Sequence, residues 1–236
     1  MIVTIHQPQY LPWLGYLDKA DRADVFILLD DVQFKKNEWQ NRNRIRTPQG
    51  WQWLTVPVLH DFGQKINEVK INNKSNWRSA HLKALKLNYG KAPFYKDFIG
   101  FFEEAYQKNW ERLCDINIYF VEKLVDLLEI KTKIVLSSQY HVSEDPTHRL
   151  IDLCKKFDAH SYLSGKDGSK YMDFKKFEEA HINVLTQDFK HPAYDQLWQS
   201  AQVKGFISNL SVVDLLFNHG RESLSIIRKN SGQEKV

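Results

Sequence analysis

The chain has 236 residues, of which 42% are hydrophobic and 26% charged. That is enough to bury a sizeable core and too apolar for a disordered chain. The formal net charge of +4 comes without any long run of consecutive Lys or Arg, which excludes a nucleic-acid-binding tail and suits an acidic small substrate such as a nucleotide.

Met1–Gln7 reads as a short buried strand, and Pro8 and Pro12 stop a helix from following directly. Trp13–Ala23 can form a helix, with Leu14, Leu17 and Ala20 at helical spacing. Val25–Leu29 is apolar without alternation, the pattern of a strand covered on both faces. Strand, helix and strand in thirty residues make a βαβ unit. Lys35–Gly50 is polar and aperiodic and reads as a long loop, a place where function gathers. Trp51–Val58 reads as a strand and Ile66–Ile71 as a shorter one.

Trp77–Asn88 is a helix with Ser75 or Asn76 as its N-cap and Gly90 at its end. Pro93 opens a second helical region, with Phe94, Phe98, Phe101, Phe102 and Ala105 on its apolar face. Trp110–Leu128 carries the widest apolar stripe. Thr132–Leu136 is a strand, Ser143–Phe157 holds a helix starting near Pro146, and Ser161–Leu163 is a strand. A Gly-Ser-Lys turn follows, then a short helix over Phe174–Ala180, a strand over Asn183–Gln187 and a helix over Val212–Asn218 closed by Gly220. The alternation predicts an α/β fold, a mostly parallel sheet with helices on both faces, plus a helical layer or subdomain in the middle of the chain. The expected organisation is one unit over 1–228, a helical insertion near 75–130, and a frayed tail over 229–236.

Cys114 and Cys154 lie in helical segments, with no CxxC spacing, and read as buried thiols of a reducing compartment. The N-terminus lacks the pattern of a signal peptide, and no apolar run approaches the ~20 residues of a membrane span. A cytoplasmic protein without membrane insertion is therefore expected. HExxH, GxSxG, GxxxxGK[ST] and GxGxxG are all absent, as are the signatures of nucleic-acid-binding modules. Seven Trp are available for core packing or for stacking on a sugar or base.

Several polar groups stand at the ends of the predicted strands, where an open α/β sheet builds its site. His6 can bind phosphate or act as acid or base, the alternative being a turn histidine satisfied by backbone. Gln7 and Tyr10 belong to the same ordered turn. Gly15 could admit a phosphate to the helix start or simply pack closely. Asp30 and Asp31 end the second strand. One of them could act as base or hold the Mg²⁺ that accompanies a nucleotide, or both could be turn-forming acids. No metal of the protein's own is expected. Asn41, Arg42, Asn43 and Arg44 set two guanidinium groups among amides, suited to phosphate or carboxylate. Trp39 or Trp51 could stack on a base or sugar, and Gln33 joins the binding candidates. Ser164 and Gly165 open a turn whose amides could cradle an anion, or which is an ordinary connection.

The segments His6-Gln7-Pro8-Gln9-Tyr10-Leu11-Pro12-Trp13-Leu14-Gly15-Tyr16, Asp30-Asp31-Val32-Gln33-Phe34, Asn41-Arg42-Asn43, Thr55-Val56-Pro57-Val58, Tyr162-Leu163-Ser164-Gly165 and Leu215-Leu216-Phe217-Asn218-His219-Gly220 resemble the WbqC-like family. The resemblance runs over roughly residues 2–225, and its first segment is the specific one. Asp158 and His181 depart from it, standing where glycine is expected before a strand. It marks His6, Asp30, Asp31, Asn41, Arg42 and Asn43 as site positions without assigning their roles. It implies an enzyme of bacterial surface-polysaccharide (O-antigen-type) biosynthesis acting on a nucleotide-activated sugar. Acyl or aminoacyl transfer, by a transferase or an ATP-dependent ligase-like enzyme, is the sharper form. The alternative is a non-catalytic protein that binds a nucleotide-sugar or another component of the glycan pathway. A weaker similarity links the opening strand, turn and helix to HIGH-type nucleotidyltransferases and pantothenate synthetase. Gly15-Tyr16 stands where those have Gly-His, so that likeness concerns fold alone.

Overall fold

The computed structural model describes residues 1–170, 172–199 and 205–229. Tyr171 and all but the first residue of the expected tail 229–236 lie outside them. In chain order, β1 (Ile2–His6) leads through the Pro8–Pro12 turn to α1 (Leu14–Asp21) and β2 (Val25–Leu28). A hairpin of β3 (Arg42–Thr47) and β4 (Gly50–Thr55) follows, then a small antiparallel pair, β5 (Val58–Leu59) and β6 (Lys70–Ile71). Three helices come next, α2 (Trp77–Tyr89), α3 (Tyr95–Gln107) and α4 (Leu113–Leu127). The chain then runs β7 (Lys133–Leu136), α5 (Pro146–Lys156), β8 (Ser161–Ser164), α6 (Phe174–Glu179), β9 (Asn183–Thr186), α7 (Val212–His219) and α8 (Ser223–Arg228).

β1, β2, β7, β8 and β9 form one parallel sheet in the order β7-β2-β1-β8-β9. Side-chain parity divides the core in two. Val3, Ile5, Val25, Ile27 and Val135 pack with Leu150, Leu153, Cys154 and Phe177 from α5 and α6. Phe26 and Leu28 turn the other way and join Leu14, Leu17 and Ala20 of α1, the apolar faces of α2–α4, and α7. The unbroken apolar runs are thus strands covered on both sides, as expected. Each fully buried large apolar side chain contributes roughly 1.5–3 kcal/mol. The mid-chain helices share the second of these cores, so they form a layer continuous with the sheet.

The structure corrects four element expectations. Lys35–Gly50 is not all loop, because Arg42–Thr47 pairs with Gly50–Thr55 across the two-residue turn Pro48-Gln49. Its outward face carries arginine instead of apolar residues, which hides the alternation. Trp51–Val58 stops at Thr55, since Pro57 has no N–H for a ladder. Ile66–Glu68 is a single 3₁₀ turn, leaving only Lys70–Ile71 extended. A further helix, α8, follows Gly220, and its Arg228 grips Asp21 of α1 through two hydrogen bonds of 2.7 Å.

Asp158 and His181 both take left-handed backbone, φ 48° and 56°. That explains why glycine is the expected residue at each. Leu11, in the Pro8–Pro12 turn, is also left-handed at φ 45°, and its carbonyl is held by the Asn43 side-chain amide at 2.7 Å.

Candidate functional site

In this sheet the first strand, β1, is flanked by β2 and β8, and the strand order reverses between β1 and β8. Such a reversal opens a crevice at the carboxyl ends of the strands. A hollow of about 860 Å³ occupies this place. Its walls come from the end of β1 (Ile5–Gln7), the start of α1, the turn after β8 (Gly165–Gly168), the start of α5, and Gln187 beyond β9.

His6 is half-buried at the end of β1, with its ring edge-on to Tyr16, centroids 4.9 Å apart. Its Nδ1 lies 3.2 Å from the Gln7 carbonyl oxygen. A carbonyl only accepts, so the hydrogen sits on Nδ1 and Nε2 is left as an acceptor. Burial, and then the neighbouring Lys19 charge, push the His6 pKa down to about 3. The ring is neutral across the physiological range.

Lys19 projects from α1 and is 3% exposed, yet it lines the hollow. Its Nζ donates to the Ile5 carbonyl oxygen at 3.2 Å, and among the described residues it forms no ion pair. Burial lowers its pKa to about 7. Lys35, Arg149 and Lys166 add further positive charge to the walls, against Glu144 and Asp167, the latter paired to Lys170 at 2.6 Å. The hollow therefore favours an anion.

Two glycines fix its shape. The Trp13 indole lies where a Gly15 side chain would be, 2.2 Å from the position of a Cβ. At Gly168 a Cβ would fall 1.9 Å from Ser164 Oγ. Gln187 closes the wall by donating to the Gly15 carbonyl at 2.7 Å and to Asp18 Oδ2 at 2.6 Å.

Of the residues singled out from the sequence, His6, Gln7, Gly15 and Gly165 line this hollow. Ser164 is buried beneath the turn, its hydroxyl donating to the Gly165 carbonyl at 3.0 Å. Gln7 Oε1 accepts from Gln40 Nε2 at 2.7 Å, which ties the strand end to the next loop. The remaining candidates stand elsewhere. Tyr10 is fully buried, its hydroxyl between His81 and Tyr106. Asn41 bonds the Val56 carbonyl and Asn43 the Leu11 carbonyl, both from inside the core. Gln33 is exposed and bridges Lys65 through backbone.

Asp30 is 2% exposed and ringed by donors. Its Oδ1 accepts from Ser138 N at 3.0 Å and lies 3.0 Å from Ser137 Oγ, whose one hydrogen is shared with the closer Asp31. Its Oδ2 accepts from Ser138 Oγ at 2.7 Å and Asn67 Nδ2 at 3.4 Å. Three donors of its own therefore hold the buried carboxylate, and it shares a fourth with Asp31. Asp31 accepts from Ser137 Oγ at 2.5 Å. Neither lines the hollow, so a Mg²⁺ accompanying a ligand bound there would not meet either carboxylate. No cluster of three or more His, Cys, Asp or Glu fit for a metal occurs among the described residues.

Arg42 and Arg44 lie on the outward face of the β3–β4 hairpin. The Arg42 guanidinium sits 4.2 Å above Trp53, and that of Arg44 lies 5.0 Å from Trp51 and 5.8 Å from Trp39. Arg44 borders a second hollow, of about 500 Å³, that shares no residue with the first. The expected convergence of histidine, aspartates and arginines is thus replaced by three separate clusters. Sequence reasoning missed Lys19, Arg149 and Gln187, and reached Lys166 only as part of the turn after β8. Lys19 carried no sequence signal beyond its place in a short helix between two apolar strands, and the burial of residues 14–20 appears only in the fold.

A model of the WbqC-like protein family matches residues 7–226. An uncharacterized protein of Mycobacterium tuberculosis is 36% identical over 230 residues, covering 96% of this chain and 97% of that protein. No solved structure matches. No helix among the described residues is long and apolar enough to cross a membrane.

Proposed function

The chain belongs to the WbqC-like protein family, and on that premise we propose that it binds a nucleotide-activated sugar in the hollow and modifies it in bacterial surface-polysaccharide biosynthesis. The observation that carries this reading is the cation-walled crevice at the strand-order reversal between β1 and β8. A nucleoside diphosphate-sugar has the size and charge to fill such a volume. Its phosphates fit the first turn of α1, which has no acidic residue and no side-chain cap at its N-terminus.

Acyl or aminoacyl transfer is the sharper form. The acceptor is then a sugar amine or hydroxyl that attacks the carbonyl carbon of an acyl adenylate made with ATP; its hydrogen passes to the free Nε2 of His6 as the new acyl bond forms, and the acyl–phosphate bond breaks to release AMP. Bound phosphate raises the proton affinity of that ring by adding negative charge nearby. Lys166 and Arg149 hold the ligand's outer charge. The second reading is a binding protein without turnover. It is favoured by one observation: among the described residues, His6 has no carboxylate partner to orient it or to stabilise an imidazolium.

Thermal melting with ATP, UDP-sugars and dTDP-sugars, with and without Mg²⁺, tests binding. A ligand at 100 times its Kd should add about 2.7 kcal/mol, or roughly 5–10 °C for a chain of this size. No shift with any of them would remove the reading. His6→Ala separates its two forms. Transfer predicts loss of turnover with binding retained, whereas a pure binder has no turnover to lose.

A further inference from the structure

Resting on the reading that the hollow takes an anionic ligand, we infer that Lys19 is the seat of that anion, a buried ammonium whose counterion the ligand supplies. The side chain is 3% exposed, lines the hollow, and gives one hydrogen bond, to the Ile5 carbonyl. An ammonium has three donors, so two remain for an incoming oxygen. The nearest acids on its own helix are engaged elsewhere. Asp18 accepts from Gln187 and lies 3.7 Å from Arg22, and Asp21 is held by Arg228. Burying an ammonium without a partner costs several kcal/mol. A packing lysine would be relieved of that cost by any aliphatic residue, whereas an anion-binding one has a reason to keep it.

The groups that share the hollow leave the role to Lys19. His6 from β1 is neutral, and Tyr16 on the same helix has its pKa raised well above the ordinary value by burial. Tyr162 of β8 packs face to face on Phe177. From the turn after β8, Lys166 is exposed and Asp167 is taken by Lys170. Glu144 and Arg149 flank the start of α5, with Arg149 Nε bonded to the Ser143 carbonyl. Lys35 is exposed at the far wall.

The ordinary lysine value is lowered here to about 7 by burial. A large fraction of the empty protein is therefore uncharged at this amine in mildly alkaline buffer, and anion binding draws a proton in.

The test is calorimetric titration of the wild-type protein and Lys19→Gln with UDP-glucose and with sulfate, whose charges stay fixed between pH 6.5 and 8.5. In the wild type, affinity should fall about tenfold per pH unit above the Lys19 pKa. Binding enthalpies in buffers of different ionisation heat should show proton uptake at pH 8. Lys19→Gln should bind at least tenfold more weakly at pH 6.5 and take up no proton. Equal affinity and equal proton uptake in the variant would overturn the assignment while leaving the hollow a nucleotide site. Lys19-dependent sulfate binding without UDP-glucose binding would uphold the assignment and discard the nucleotide-sugar. Absence of wild-type binding to either anion would discard both. Should the variant fail to fold, the ¹³Cε shift of Lys19 in the wild type gives the answer. It should titrate near pH 7 in the empty protein and lose that titration with UDP-glucose, and an unmoved titration would refute the assignment.

Discussion

Asp214 is sealed at 0% exposure by Tyr89, Tyr194 and Gln196, whose side chains donate to its two oxygens at 2.9–3.0 Å. Burial outweighs those bonds and raises its pKa to about 6. Between about pH 4 and 6 the folded protein keeps a proton that the unfolded chain has released. The contribution of this group to stability is complete below about pH 4 and lost as the pH rises through 6. Relative to the wild type, Asp214→Asn should gain unfolding free energy in urea titrations from pH 4 to pH 7, by no more than about 3 kcal/mol at about 1.4 kcal/mol per pH unit. Lys19 has the opposite sign. Its folded value lies below its unfolded one, so the empty protein gains stability as the pH rises from about 7 towards 10. Lys19→Met should flatten that rise in urea titrations. At Asp158 and His181 the left-handed backbone costs about 1 kcal/mol for a residue with a Cβ. Glycine at either position should raise the melting temperature by a few degrees, measured singly. Gly15→Ala must push the Trp13 indole aside and should cost roughly 1–3 kcal/mol.

Among the elements, those with one dominant apolar period were legible. β2 and the helix that became α4 announced themselves through Val25–Leu28 and through Leu113, Ile116, Phe120 and Leu124. The β3–β4 hairpin was hidden because its pairing partners across the outward face are arginine and tryptophan. Arg44 stands opposite Trp53, and Arg46, fully buried, stands opposite Trp51, so the arginines of β3 read as polar sequence. The candidate site was legible only at its backbone framework. His6 and Gly15 follow from where a first strand ends and a first helix begins. Lys19 went unmarked because apolar spacing picks out Leu14, Leu17 and Ala20 of α1, while the burial of the rest of that helix comes from elements distant in sequence, Gln187 and α8 among them. Asp30 looked catalytic because no sequence pattern reveals that Ser137 and Ser138, more than a hundred residues later, will satisfy it. Asp30→Asn should therefore lower the melting temperature with or without nucleotide and leave any Mg²⁺ effect unchanged. A selective loss of Mg²⁺-dependent stabilisation in that variant would reinstate the carboxylate as a metal ligand.

Across the whole molecule, the strand order was beyond reach of the sequence, since β1 pairs with β2 nearby and with β8 about 160 residues away. Both central pairings are needed before the hollow exists, because its walls are drawn from β1, α1, the turn after β8 and the start of α5. The terminal helix extends the same dependence. Arg228 clasps Asp21, and Ile226 and Ile227 are buried in the core that α1 shares. During synthesis the first helix therefore waits for Arg228, 207 residues after Asp21, before its surroundings are complete. A product of premature termination ahead of α8 would leave the ribosome with that apolar flank uncovered, a client for chaperones and proteases even though every wall of the hollow had already been translated.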